Sequence, residues 1–128
     1  MITALYAALL ALLMIWLAVQ VIKLRHKNKV SHADGEIEDL QVARGAQGNA
    51  AEYIPITLIL MTLIEYNGAN ALLIHGLGVL FVLGRVIHAR AILSKNFSGR
   101  VKGMKLTFAV MFTLVILNFV YLPFDKLW

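Results

Sequence analysis

The opening run of the chain constrains it more than any other feature. From Ile2 to Ile22 it is nearly all Ala, Leu, Ile, Val and Met, with Trp16 and Gln20 near its end. About twenty apolar residues in helical form cross a hydrocarbon core roughly 30 Å thick. Lys23, Arg25, Lys27 and Lys29 follow at alternate positions, marking where a helix leaves lipid for water. The run lacks the basic leader and small-residue cleavage site of a secretory signal, so it reads as a retained first span.

The remainder of the chain carries the same signal. It has 128 residues, 60% of them hydrophobic, and a mean hydropathy of +0.77. Soluble domains are about 45–50% apolar, and a chain this short buries only about two-thirds of its surface. Lipid removes the conflict. Length argues for a single domain, with spans expected at residues 2–22, 47–66, 69–92 and 106–121. Ser31 to Asp39 is polar and acidic, with Gly35 as a breaker, and reads as a loop. Tyr66-Asn67-Gly68 reads as a turn, and Lys95 to Lys105, with Gly99 and Gly103, as a basic linker. Pro55 lacks a backbone donor and is expected to kink the second span unless neighbours compensate. Gly76, Gly78 and Gly84 allow close helix approach in the third. Pro123 ends the fourth. Short links make antiparallel neighbours, so the expected fold is all-α: an integral membrane four-helix up-down bundle. There is no internal repeat and no low-complexity segment.

Charge sets orientation. The formal net charge is +5, and the pI is near 9.8. Every Lys and Arg except Lys126 lies near the span ends that meet the first and third links. The turn between spans two and three has Glu65 and no basic residue. The positive-inside rule places both long links in the cytoplasm and both termini outside. Because the cations flank apolar segments, membrane lipid headgroups or an anionic ligand are the expected partners, and nucleic acid is not. The chain has no cysteine. This excludes disulfides, thiolate metal sites and a cysteine nucleophile; any thiol chemistry uses a thiol that a ligand brings. No His, Asp or Glu spacing matches a zinc or di-metal site.

Ionisable groups within spans are costly and mark function by default. The second span has the densest group: Arg44, Asn49 and Glu52, followed by Tyr53. Asn49 and Glu52, at i and i+3, share a helix face. Arg85 and His88 share a face of the third span in the same way. Arg25 ends span one, and Arg100 and Lys102 precede span four. All of these belong to the cytoplasmic half and could converge on one pocket. Arginines match carboxylates in bidentate geometry, Glu52 could take an ammonium group, and Asn49 can donate and accept. Glutathione, with two carboxylates, one ammonium, two peptide bonds and a thiol, fits this inventory, as do other anionic peptides and lipids. Each feature also has a structural reading: Asn49 and Glu52 as polar links between helices, Arg85 snorkelling to the interface, Arg25 and Arg100 as topology signals, His88 as a bonded structural histidine. His75 reads as a helix-packing partner.

The stretch from Leu40 through Arg44, Gly45, Asn49, Glu52 and Tyr53 to Pro55 resembles the second-helix motif of the membrane-associated proteins in eicosanoid and glutathione metabolism, the MAPEG family. The bacterial inner-membrane branch, with Gly-Asn-Ala-x-Glu-Tyr-Ile-Pro-Ile, is the nearest pattern. Gln20-Val21-Ile22 with Arg25 and Val30-Ser31 is similar to the end of the first helix in leukotriene-synthase-like members. Gly84-Arg85 with His88 is similar to the third-helix motif. The resemblance implies a homotrimer with glutathione between subunits near the cytosolic face. It implies Arg25, Arg44, Asn49, Glu52, Tyr53 and Arg85 as glutathione contacts, with His88 where a ligand-binding tyrosine often stands. Two positions depart from the pattern. The motif arginine stands five residues before Asn49, because Gly45 occupies the usual place. Arg100 is the nearest equivalent of the thiol-activating arginine, and Lys102 is the other candidate.

The function these readings imply is a glutathione-dependent transferase or peroxidase acting on lipophilic electrophiles, with glutathione as co-substrate and Arg100 stabilising the thiolate. Two alternatives stand beside it. One is a non-catalytic binding or scaffold protein of the same fold. The other is a small efflux transporter, which needs a carboxylate in the transport path that the first span lacks.

Overall fold

A computed structural model describes residues 1–127. Four helices account for nearly all of it: α1 (Thr3–Asn28), α2 (Glu38–Tyr66), α3 (Ala71–Leu93) and α4 (Phe97–Val120), followed by a 3-10 turn at Phe124–Lys126. Each expected span coincides with one helix, but the helices run further at the basic end. At about 1.5 Å per residue, the 26 residues of α1 and the 29 of α2 exceed a hydrocarbon core of roughly 30 Å. Their last or first turns therefore carry charged residues into the headgroup zone.

The reading of Lys95 to Lys105 as a linker is corrected. Only residues 94–96 connect α3 to α4, and Asn96 caps the new helix by accepting from Gly99 N at 3.1 Å. Dense positive charge suggested a loop, but an N-cap and a glycine pair that packs on α3 support a helix. Likewise α2 begins at Glu38, inside the segment read as loop. Glu38 and Asp39 in its first turn favour that start through the helix dipole. The turn at Tyr66-Asn67-Gly68 is found where expected, with Gly68 at φ 91°. α2 continues through Pro55.

Side-chain pairs fix an up-down order. Glu65, at the end of α2, accepts from the backbone N–H of Ile2, from that of Thr3 at 2.8 Å and from Thr3 Oγ1 at 2.6 Å, so it caps the start of α1. At the opposite end Lys95 Nζ meets Glu38 Oε1 at 3.0 Å and Asp39 Oδ1 at 3.1 Å. The 29–37 and 94–96 links thus sit at one end, and the 67–70 turn and α1's start at the other. Helices α2 and α3 are central; α1 packs on both of them, α4 packs on both, and α1 and α4 do not meet among the described residues.

Burial follows a heptad-like rhythm. Along α2 the buried positions are Leu40, Ala43, Ala46, Ala50, Ile54, Thr57, Met61 and Ile64, in steps of three or four. That spacing, near 3.5 residues per turn, suits left-handed bundle packing. Leu10 and Leu17 of α1, Phe81 of α3 and Leu114 of α4 complete the same core. Close approach of α3 and α4 depends on missing side chains. A Cβ added at Gly103 would lie 2.7 Å from the backbone N of His88, and one at Gly99 would lie 2.9 Å from Ala91 Cβ.

The exterior is apolar. Leu5, Leu9, Leu12, Ile15, Trp16, Val19 and Ile22 form an exposed stripe on α1, and Phe108, Phe112, Val115, Ile116 and Phe119 another on α4. Helices α1, α3 and α4 are each long and apolar enough to cross a membrane. Exposed apolar surface on this scale has lipid as its natural solvent.

Candidate functional site

At the basic end, α2 and the α3–α4 corner line a groove of about 630 Å³. Its α2 wall is built by Glu38, Gln41, Val42, Gly45, Gly48, Asn49 and Glu52; its other wall by Ala91, Ile92, Lys95, Asn96, Phe97 and Arg100. Gln41, Gly45, Gly48 and Glu52 step by four, three and four, so one face of α2 supplies most of that wall. A Cβ added at Gly45 or Gly48 would meet nothing within 4 Å. The two glycines therefore hold the groove open. Volumes of about 300–1,000 Å³ are usual for small-molecule sites.

The groove carries both signs of charge. Glu52 and Arg100 are exposed and have no salt-bridge partner among the described residues. Lys95 and Glu38 are already paired at the rim. The hydrogen bond to Glu38, and next that to Asp39, raises the Lys95 ammonium above its ordinary pKa. Such a site can take a ligand with carboxylates and an ammonium group at once.

The expected site residues divide. Asn49, Glu52 and Arg100 come together in the groove. Arg25 does not line it; its Nη1 donates to Ser31 O at 2.8 Å and ties down the α1–α2 link. Arg44 lies outside as well, with Nη1 3.5 Å from Asp34 Oδ2. Tyr53 turns to α4, edge-on to Phe108 with ring centroids 5.5 Å apart.

Arg85 and His88 are buried behind the groove, at 0% and 1% exposure. Arg85 Nη2 donates to Asn49 Oδ1 at 2.7 Å and lies 3.4 Å from His88 Nδ1. Its Nη1 is 3.5 Å from Thr107 Oγ1. An acceptor at His88 Nδ1 leaves that ring's proton on Nε2. Arg85 Nε has no partner among the described residues.

Gln41, Lys95, Asn96 and Phe97 were missed by sequence reasoning. Gln41 had a signal, its register with Glu52 on one helix face. The α3–α4 corner had none, because its place against α2 is a packing outcome. His75 is a packing partner as expected: Tyr6 Oη lies 2.7 Å from its Nδ1. No group of three or more His, Asp or Glu could hold a metal among the described residues.

Comparison with known proteins agrees with this architecture. Inner membrane protein YecN of Escherichia coli, from the K12 strain and from an O6:H1 strain, is 37% identical over 125 residues, covering 98% of this chain and 95% of that protein. The MAPEG family pattern matches residues 3–120, which takes in all four helices. A bundle with a lipid-suited exterior, an Asn–Glu pair in a groove at its basic end and a family match over nearly its whole length make this chain a member of the MAPEG family.

Proposed function

We propose that this protein is a membrane-bound, glutathione-dependent transferase or peroxidase. The observation that carries the reading is the groove, which unites Asn49, Glu52 and Arg100 and leaves the two charged groups without ion-pair partners among the described residues. Glu52 would take the ammonium of glutathione, Asn49 a carboxylate or peptide carbonyl, and Arg100 the sulfur. A free thiol titrates near 8.5, and a cation beside it favours the thiolate. Conjugation then forms a sulfur–carbon bond as the electrophile's leaving group departs with the bonding pair. Peroxide reduction consumes two glutathiones, giving the disulfide, an alcohol and water. The protein supplies position and charge, not a nucleophile. Lipophilic electrophiles would arrive from the bilayer past the apolar flanks of α2 and α4.

In this reading the basic end faces the cytoplasm, both termini lie outside, and the bundle works as a homotrimer in the inner membrane. Positive-inside bias supports the orientation; family membership supports the trimer. One observation favours a second reading, binding without turnover. Arg25 and Arg44 are held by Ser31 and Asp34, so Arg100 is the groove's single arginine among the described residues.

Calorimetric titration of glutathione into the purified protein, with thiolate absorbance followed in parallel, tests both. Saturable binding with thiolate formed near neutral pH supports the transferase, and binding with the thiol still protonated supports the second reading. Absence of binding sinks both. Glu52→Gln is expected to weaken binding by about tenfold, the worth of one charge-assisted bond, with assembly unchanged. Equal damage to assembly would mark Glu52 as a helix-packing group instead.

A further inference from the structure

Arg85 is the largest fully buried side chain, and it does not line the groove, whereas Asn49 does. The guanidinium stands behind Asn49 and gives it a short bond, from Nη2 to Oδ1 at 2.7 Å. A guanidinium has donors only. The Asn49 atom facing it must therefore be the carbonyl oxygen, and the amide nitrogen must face away. Nothing among the described residues accepts from Asn49 Nδ2. Nor is that nitrogen a buried orphan, because Arg85 Nε is the one such atom among them. Its two N–H groups thus have no acceptor among the described residues, on a residue that lines the groove.

The guanidinium is itself held in place. His88 Nδ1 and Thr107 Oγ1 flank it. Thr107 commits its own proton to Gly103 O at 2.9 Å, which leaves its oxygen as an acceptor. Gly103 in turn packs on the His88 backbone, so the α3–α4 contact sets where the guanidinium lies. Arg85 has no carboxylate partner among the described residues. An aspartate at position 49 would supply one, and buried cations in a membrane bundle favour such pairing. It would also turn an acceptor toward the groove. Asparagine forgoes the counter-charge and keeps the donors.

We propose, resting on the glutathione reading of the groove, that Arg85 is a positioning residue that does not touch the ligand: it locks the Asn49 amide so that both its N–H groups face a carboxylate or peptide carbonyl of the bound peptide. The chemistry read at this point of the groove is an acceptor, and a ligand donor is rejected there.

Glutathione titration of five variants tests this, each checked by gel filtration and thermal melting. Asn49→Asp keeps an oxygen toward Arg85 and removes the donors. It should melt no lower than the parent yet bind glutathione at least about tenfold more weakly. Arg85→Lys, still donor-only, should keep affinity within about threefold, while Arg85→Gln, which can face either end of the amide, should lose about tenfold. In an Asn49→Ala background, Arg85→Gln should cost nothing further, because both changes act through one contact. An additional loss there means that Arg85 meets the ligand directly and overturns the proposal. A readout without ligand separates the two claims. The Asn49 side-chain carbonyl carbon resonance should move when Arg85→Met removes its donor, and an unmoved resonance overturns the positioning role. Failure of the parent protein to bind glutathione overturns the glutathione reading and leaves that resonance to decide the role of Arg85.

Discussion

Gly45 and Gly48 show what an absent side chain does for this site. Both face the groove, and neither would meet a neighbour if a Cβ were added. Gly45 also stands where the family motif carries its arginine, so the missing cation leaves space behind. Gly45→Arg is expected to fold, since helix interiors disfavour glycine by about 1 kcal/mol relative to alanine. It should tighten glutathione binding by roughly tenfold, as expected of one new charge-assisted bond. Unchanged affinity by calorimetry would mean the ligand's carboxylates lie elsewhere in the groove. The natural arginines nearby cannot substitute, because Asp34 holds Arg44 and Ser31 holds Arg25.

Among the elements, α3 and α4 form the closest pair, and their separation governs the polar cluster behind the groove. Gly84 packs on Leu106, Gly99 on Ala91 and Gly103 on the backbone of His88. At Gly103 the obstruction is main chain, which cannot rotate away. Gly103→Ala should therefore destabilise the bundle by about 1–3 kcal/mol, the usual range for overpacking, seen as a lower melting temperature in detergent. It should also weaken glutathione binding, since His88 and Thr107 would shift and release Arg85. A variant with parent-like melting and binding would show that the helices separate without cost. An added side chain is tolerated at Gly45 and not at Gly103, although the sequence presents both simply as glycines in a helix.

For the whole molecule, the strongest consequence of the cysteine-free sequence is practical. Single cysteines can be placed anywhere without background. At Ser31 and Ser98, both exposed at the basic end, a cysteine should be unlabelled by an impermeant maleimide on intact spheroplasts and labelled after lysis. At Asn70, in the opposite turn, a cysteine should react in both. The reverse pattern would invert the orientation drawn from the positive-inside rule. The fold itself, four antiparallel helices, was legible from hydropathy and short links, because a bilayer leaves a chain of this composition few alternatives. Helix ends were less legible. The segment from Phe97 to Lys105 is charged like a loop, yet it is the first two turns of α4, since a helix can leave the hydrocarbon and continue through the headgroup zone.

Within the site, Asn49 and Glu52 were readable because a single helix presents both, and the geometry of one helix follows from spacing alone. The sequence alone determined that the chain is an apolar helical bundle with its cations at one end, that any thiol must come from a ligand, and which face of the second helix carries its polar pair. Only the tertiary structure decided that Lys95, Asn96 and Phe97 complete the groove, that Arg25 and Arg44 stand outside it, and that Arg85 lies behind Asn49. The physical reason is range. Hydropathy and helical period act within one segment, whereas the reach of a long cation is settled by whichever oxygen the packed helices bring nearest, here Ser31, Asp34 and Asn49.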